Sequence, residues 1–260
     1  MNVGPEQILF SCLLVIITIA LSFLIGLNLE KKLLIAKVRS IAQLILLGYA
    51  LLWLFKFNHP LTFLLIFFFM ILVATHTVSS RVRKKFKGLS WISFHSLFLP
   101  TLITGLYTFF YAIPQKPWYD VSKTIPLFGM IIGNSLTGIS LSLDSFINAF
   151  SQRKNEIEDL LAMGATRMES VKSLIKNSLN IGMTPILNTM NVVGLVSIPG
   201  MMTGQILAGM EPFEAAKYQI SIMLIICFVI FISSIGALIM ATLRFFDANH
   251  RFKSELLNDE

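Results

Sequence analysis

Charge is scarce in this chain of 260 residues. Asp, Glu, Lys and Arg make up 13% of it, hydrophobic residues 55%, and mean hydropathy is +0.75. Soluble domains carry roughly a quarter charged residues, so most of the chain belongs in lipid, with length for about seven spans of roughly 20 residues each. Cysteine is scarcer still. Cys12 and Cys227 lie far apart within apolar runs, which excludes a disulfide framework or a paired zinc site and makes them small apolar fillers. His-Glu-x-x-His, Gly-x-Ser-x-Gly and clustered Cys are all missing from the sequence, so a membrane protease or hydrolase has no visible apparatus. Asp144 is the single acid inside the apolar runs, and Lys and Arg lie only in the loops and at the very ends of the runs.

The basic residues that remain mark the loops. The net charge is +7, yet these residues sit in short loops between apolar runs, the pattern of the positive-inside rule rather than of a nucleic-acid surface. Spans are expected at about 7–28, 40–56, 61–79, 90–112, 125–149, 183–209 and 217–243. Lys31, Lys32, Lys37 and Arg39 mark the first inner loop; Arg81, Arg83, Lys84, Lys85 and Lys87 mark the second. With the N-terminus outside, 17 of the 21 Lys and Arg fall on the inner side. The first run is too long for the core of a signal peptide and is preceded by Glu6 rather than basic residues, so it is expected to remain as a span. Asn58-His59-Pro60 reads as a tight turn, Ile113–Lys123 as a Pro-rich outer loop with Trp118 and Tyr119 at the interface, and Arg244–Glu260 as a frayed cytoplasmic tail. The fold class is an all-α membrane protein of one permease-like domain, 1–260.

Chemistry concentrates in the fifth and sixth runs. Thr137, Ser140, Asp144 and Asn148 recur at helical spacing, with Asn134, Ser135 and Ser142 beside them. This face suits a path, and equally a hydrogen-bonded helix interface, since Gly129 and Gly133 have the spacing for close helix approach. Asp144 is a candidate proton or cation site, or a carboxylate that reaches interfacial water or pairs with Arg153. Gly133–Ser140 imitates a phosphate-binding loop, but Ile139 stands where the lysine is required. Pro199-Gly200 is expected to break the sixth span, where a broken helix is tolerated if it lines a cavity. Asn188, Asn191, Thr203 and Gln205 flank that break. Met201 and Met202, like Met190 and Met210, offer soft metal ligands or simply fill gaps. His76 and His95 read as packing residues or as metal or proton handlers.

The cytoplasmic segment 151–180 is charged and amphipathic. Ile157, Leu160, Leu161, Met168, Val171, Leu174 and Ile175 recur near helical period, and Gly164-Ala165-Thr166 marks a bend between two short helices. Such a hairpin is a docking knob for a partner or a helix lying flat on the membrane. Its five basic and four acidic residues favour docking.

Glu156–Thr166 resembles the coupling-helix region of ABC permeases, although Glu158-Asp159-Leu160 stands where the importer signature has Glu-Ala-Ala. A closer resemblance covers nearly the whole chain. The runs GNSLTGISLSLD (133–144), LLAMGATR (160–167) and NTMNVVGLVSIPGMMTGQILAG (188–209) are similar to those of the FetB-type permease family. Its bacterial members are similar to iron exporters that act with a FetA-type ATPase, and plant relatives are associated with aluminium tolerance. The resemblance implies a homodimeric permease in a bacterial cytoplasmic membrane, bound to two ATPase subunits that hold ATP and Mg, with no cofactor in this chain. Glu156, Glu158, Asp159, Leu160, Leu161, Met163, Gly164, Ala165, Thr166 and Arg167 are then the coupling residues. The cargo path would run past Asn134, Thr137, Ser140, Asp144, Asn188, Asn191 and Pro199–Gln205, with Asp144, Met201 and Met202 as candidate metal contacts. An ion-coupled secondary transporter built on Asp144 is the alternative, against which the absence of an inverted repeat counts. A non-transporting scaffold is a third reading, for which the polar fifth span would be needlessly costly.

Overall fold

In a computed structural model, which describes residues 4–56, 59–114 and 117–247, the chain is helical throughout. Among the described residues no strand occurs, and Val193 and Ser197 form an isolated bridge. The helices are α1 (Pro5–Ile25), α2 (Glu30–Leu54), α3 (Pro60–Arg81), α4 (Leu89–Tyr107, continued by a π-helical turn at Thr108–Ala112), α5 (Val121–Gln152), α6 (Lys154–Ala162), α7 (Arg167–Val192), α8 (Gly200–Leu207) and α9 (Pro212–Phe245). Five of them are long and apolar enough to cross a bilayer: α2, α3, α4 with its π-turn, α5 and α9. α1 adds a shorter apolar stretch, Cys12–Ile25. The protein is thus an all-α integral membrane protein.

Two compact units divide at Phe57. In the first, α1 and α2 form a hairpin. Gly26 closes α1 at φ 72°, a left-handed conformation that favours glycine. Ser22 then ties the turn: its buried hydroxyl donates to Glu30 Oε1 at 2.9 Å and accepts from the Leu29 N–H at 3.3 Å. The expected basic loop is not a loop. Lys31, Lys32, Lys37 and Arg39 lie on α2, which starts ten residues before the expected span at 40. Glu30 in the first turn and the straight-chain Lys and Arg side chains support a helix there as well as they would a solvated connection.

The second unit is built around α5, which packs against α3, α7 and α9, with α4 against α3 and α9. Leu143, Phe146, Ile147 and Phe150 on α5 are fully buried, as are Ile71, Val78, Leu97 and Leu238 on its neighbours. At one end Phe150 stacks on Phe245 at 4.9 Å, and Phe86 meets Phe245 at 4.8 Å. At the other end Phe63, Phe67, Phe109 and Phe128 cluster, and Trp118 meets Phe63 edge-on at 6.0 Å. Asp120 caps α5 by accepting from the Ser122 N–H and hydroxyl. That hydroxyl, with help from Lys123, holds the Asp120 carboxyl below its ordinary range.

The closest helix approach is not at Gly129 and Gly133. A Cβ added at Gly129 would touch only the Met70 methyl, at 3.5 Å, and one at Gly133 would meet nothing within 4 Å. The tight crossing is Gly138 on α5 against Gly182 on α7, where a Cβ at Gly182 would lie 2.6 Å from the Gly138 carbonyl and collide with the Ser142 hydroxyl. The sixth run also differs from expectation. Its helix ends at Val192, the chain turns through Val193–Pro199, and Pro199 starts α8 as its N-cap instead of breaking a helix. Val192 accepts hydrogen bonds from Val196 and Leu195 in that turn, and Gly194 (φ 80°) donates to the Ser197 carbonyl. Residue 58 of the expected turn, residues 115–116 of the outer loop and the tail from 248 lie outside the described residues.

Candidate transport path and coupling hairpin

The polar face of α5 is real but largely turned onto its own helix. Asn134 donates to the Met130 carbonyl at 2.8 Å, Thr137 to Gly133 at 3.2 Å, Ser140 to Leu136 at 2.6 Å and Asn148 to Asp144 at 2.7 Å. Asn134 is exposed and Thr137 half-buried, whereas Ser140 is buried. Each hydroxyl or amide satisfies a donor through the i−4 carbonyl, so the face stays polar without needing a partner helix. Ser135 and Ser142 point the other way, their hydroxyl oxygens buried without a hydrogen-bond partner.

Asp144 does not pair with Arg153. Its Oδ1 accepts from the Arg83 backbone N–H at 2.9 Å, and Nη2 and Nε of Arg83 reach Oδ2 at 2.8 and 3.1 Å. Arg83 sits in the connection between α3 and α4, so this carboxylate fastens that connection to the C-terminal part of α5. The Arg83 side chain is 76% exposed and that of Asp144 21%, so the pair lies at the surface of the bundle. The Asp144 carboxylate raises the Arg83 guanidinium above its ordinary pKa, first through the side-chain hydrogen bond and then through its charge. Lys84 adds a second tie to Ser151 at 2.8 Å, and Arg244 donates to the Lys87 carbonyl at 3.2 Å. Arg153 instead forms a bidentate pair with Glu156, both contacts at 2.7 Å.

Asn188 and Asn191 lie exposed near the end of α7, and Gly200 and Thr203 are exposed on α8. Beside the Val193–Pro199 turn is a cavity of about 360 Å³ lined by Gly194, Pro199, Met202, Gln219, Ile220 and Met223. Met202 and Met223 of α9 thus both line this cavity, while Met201 is not part of the lining. Gln205 and Gln219 each bury an amide oxygen without a hydrogen-bond partner. Nothing in the sequence singles out Gln219 or Met223, because their relation to Met202 arises only when α8 folds back on α9. Among the described residues no three His, Cys, Asp or Glu side chains group in a way that could hold a metal ion. His95 lies tilted against Trp91, ring centroids 4.0 Å apart, and donates to the Trp91 carbonyl, and His76 is exposed on α3.

The hairpin has one short arm and one long one. α6 anchors through Ile157, buried at 2% exposure, while Glu158 pairs with Lys154 at 3.7 Å and Asp159 is exposed. Leu160, Leu161, Ala165 and Arg167 are half-buried, and Met163 protrudes at the bend, 83% exposed. Gly164 there has φ 95°. Thr166 opens the second arm with a capping box: Glu169 accepts from the Thr166 N–H and hydroxyl at 2.8 and 2.7 Å, and the Glu169 N–H points back to the hydroxyl. That arm is not a second short helix. It is the first part of α7, 26 residues without interruption from Arg167 to Val192.

Residues 5–246 match the family model described as "Uncharacterised protein family (UPF0014)". The chain is 38% identical over 201 residues to a UPF0014 membrane protein of Synechocystis, covering 77% of this chain and 78% of the relative. It is 29% identical over 251 residues to "Probable iron export permease protein FetB" of Escherichia coli, covering 96% and 95%. It is likewise 29% identical over 247 residues to "Protein ALUMINUM SENSITIVE 3" of Arabidopsis thaliana, covering 95% and 89%. No solved structure matches the chain.

Proposed function

The chain belongs to the UPF0014 family, and we propose on that footing that it is the membrane-spanning permease of an ABC transporter that exports iron or a related metal. The observation that carries this reading is the α6–α7 hairpin. It is an exposed knob whose long arm runs directly into the membrane-embedded bundle. The near full-length likeness to a probable iron export permease supports the cargo. Seven membrane crossings with the N-terminus outside, two copies of the chain in a bacterial cytoplasmic membrane, and a separate ATPase holding ATP and Mg complete the proposal. Closure of the ATPase pair pushes on Met163, Gly164 and their neighbours. Because α7 is continuous, the push passes without a joint to Gly182, where α7 bears on α5 at Gly138. Tilting of these two helices then changes which side of the membrane the faces of Asn134 and Thr137, Asn188 and Asn191, and the Met202 cavity open to.

The test is Fe²⁺ efflux from reconstituted vesicles holding this chain and its candidate ATPase. ATP-dependent efflux is expected, with loss of both efflux and subunit association in Gly164→Trp. Efflux that ignores ATP, follows a proton gradient and dies in Asp144→Asn would replace the reading with an ion-coupled transporter.

A further inference from the structure

The long arm of the hairpin carries polar side chains to a depth where a lipid-facing helix would not. α7 is long enough to span, at 26 residues, yet it is not among the helices apolar enough to do so. Its depth is fixed by its contacts with α5, a candidate span. Gly182 lies against Gly138 near the middle of α5, and Ser178 donates to Ser145 at 3.3 Å one turn further in. One face of α7 is buried there: Val171, Leu174, Ile175, Ser178, Gly182 and Ile186. The opposite face reads Ser173, Asn177, Asn180, Thr184, Asn188 and Asn191, all exposed. Those positions are separated by four, three, four, four and three residues, which keeps them in one stripe along a 3.6-residue helix. At 1.5 Å per residue, Asn177 is about 8 Å inward and Asn191 about 14 Å outward of Gly182, all within a hydrocarbon core of roughly 30 Å.

Each asparagine brings two donors and an acceptor, and hydrocarbon can satisfy none of them. We propose that this stripe is the hydrated wall of the transport path: water covers it, and passing cargo is met by neutral amides and hydroxyls rather than by charge. The inference rests on the permease reading and extends its path inward to Thr184, Asn180, Asn177 and Ser173.

Cysteine accessibility tests it. In a background with Cys12→Ser and Cys227→Ser, single cysteines at Asn177, Asn180, Thr184, Asn188 and Asn191 are exposed in membrane vesicles to a permanently charged methanethiosulfonate. Phe69→Cys, at an exposed apolar position of α3, is the bilayer-facing control. Stripe positions should react at least about tenfold faster than the control, because the reactive thiolate forms in water and not in hydrocarbon. Five independent positions guard against one variant misfolding. Reactivity as low as that of Phe69→Cys along the stripe overturns the proposal. So does protection accompanied by oxidative cross-linking between copies, which would make a second chain and not water the cover. The assay needs neither ATP nor an ATPase. An unreactive stripe would retire the wall while Fe²⁺ efflux still stood; a reactive stripe without efflux would do the reverse.

Discussion

The Asp144 carboxylate accepts from both the backbone and the guanidinium of Arg83. Neutralising it therefore tests a fastening, not only a charge. Asp144→Asn keeps an oxygen for the Arg83 N–H but loses the charge-assisted contacts, and Asp144→Leu loses both. Melting temperatures in detergent should fall in the order wild type, Asn, Leu, with Arg83→Ala close to the Asn variant. Equal melting of wild type and Asp144→Leu would show that the fastening contributes nothing. Gly182→Ala should destabilise by about 1–3 kcal/mol, since the new methyl must displace the Gly138 backbone or the Ser142 side chain. Gly133→Ala enters open space and should be neutral or gain up to about 1 kcal/mol from helix propensity. The sequence displays all four of Gly129, Gly133, Gly138 and Gly182 as equals. Which pair touches depends on the rotation of α5 relative to α7, which local spacing does not encode. The same applies to Arg83 and Asp144, each conspicuous in the sequence but 61 residues apart.

At the scale of the element, the hairpin tip carries a pH dependence of known sign. Glu169 is held below its ordinary value of 4.5, chiefly by the Thr166 hydroxyl and then by the Thr166 N–H. A carboxylate with a depressed folded pKa contributes its full stability above its unfolded value and loses it as pH falls through the folded one. The first turn of α7 should thus be well ordered above about pH 4.5 and fray below it. Hydrogen exchange at residues 166–170, corrected for its intrinsic pH dependence, should show this. Thr166→Ala should flatten the profile and cost about 1 kcal/mol of cap stability. Both arms of this hairpin were legible, since the amphipathic period and the Gly-Ala-Thr bend lie in the letters. The extent of the second arm was not, because reading its charges as cytoplasmic placed a boundary at 183 that the continuous helix ignores. The heptad-like run Ser173, Asn177, Asn180, Thr184 carries the signal of that continuity across the boundary.

For the whole molecule, the helical membrane class, the positions of the main apolar runs and the family were all readable, because composition and long apolar segments are properties of the chain itself. The Met202–Gln219–Met223 cavity was not, since it arises where the turn at 193–199 folds α8 onto α9. One further consequence concerns spacing between the hairpin tip and the polar stripe. Both are set on a single unbroken α7, so the number of residues between Thr166 and Asn177 determines the direction in which the stripe faces when the tip is held by a partner. Inserting one alanine after Lys172 would swing the two out of phase by about 100°, turning amides toward α5 or α9 while leaving every native side chain in place. Inserting seven would restore the phase to within about 20°. On the permease reading proposed above, such a protein should still bind the candidate ATPase in both cases and recover transport only in the second. On that reading cargo selection and energy input are coupled by helical pitch, and length changes in this stretch are tolerated only in near-whole turns.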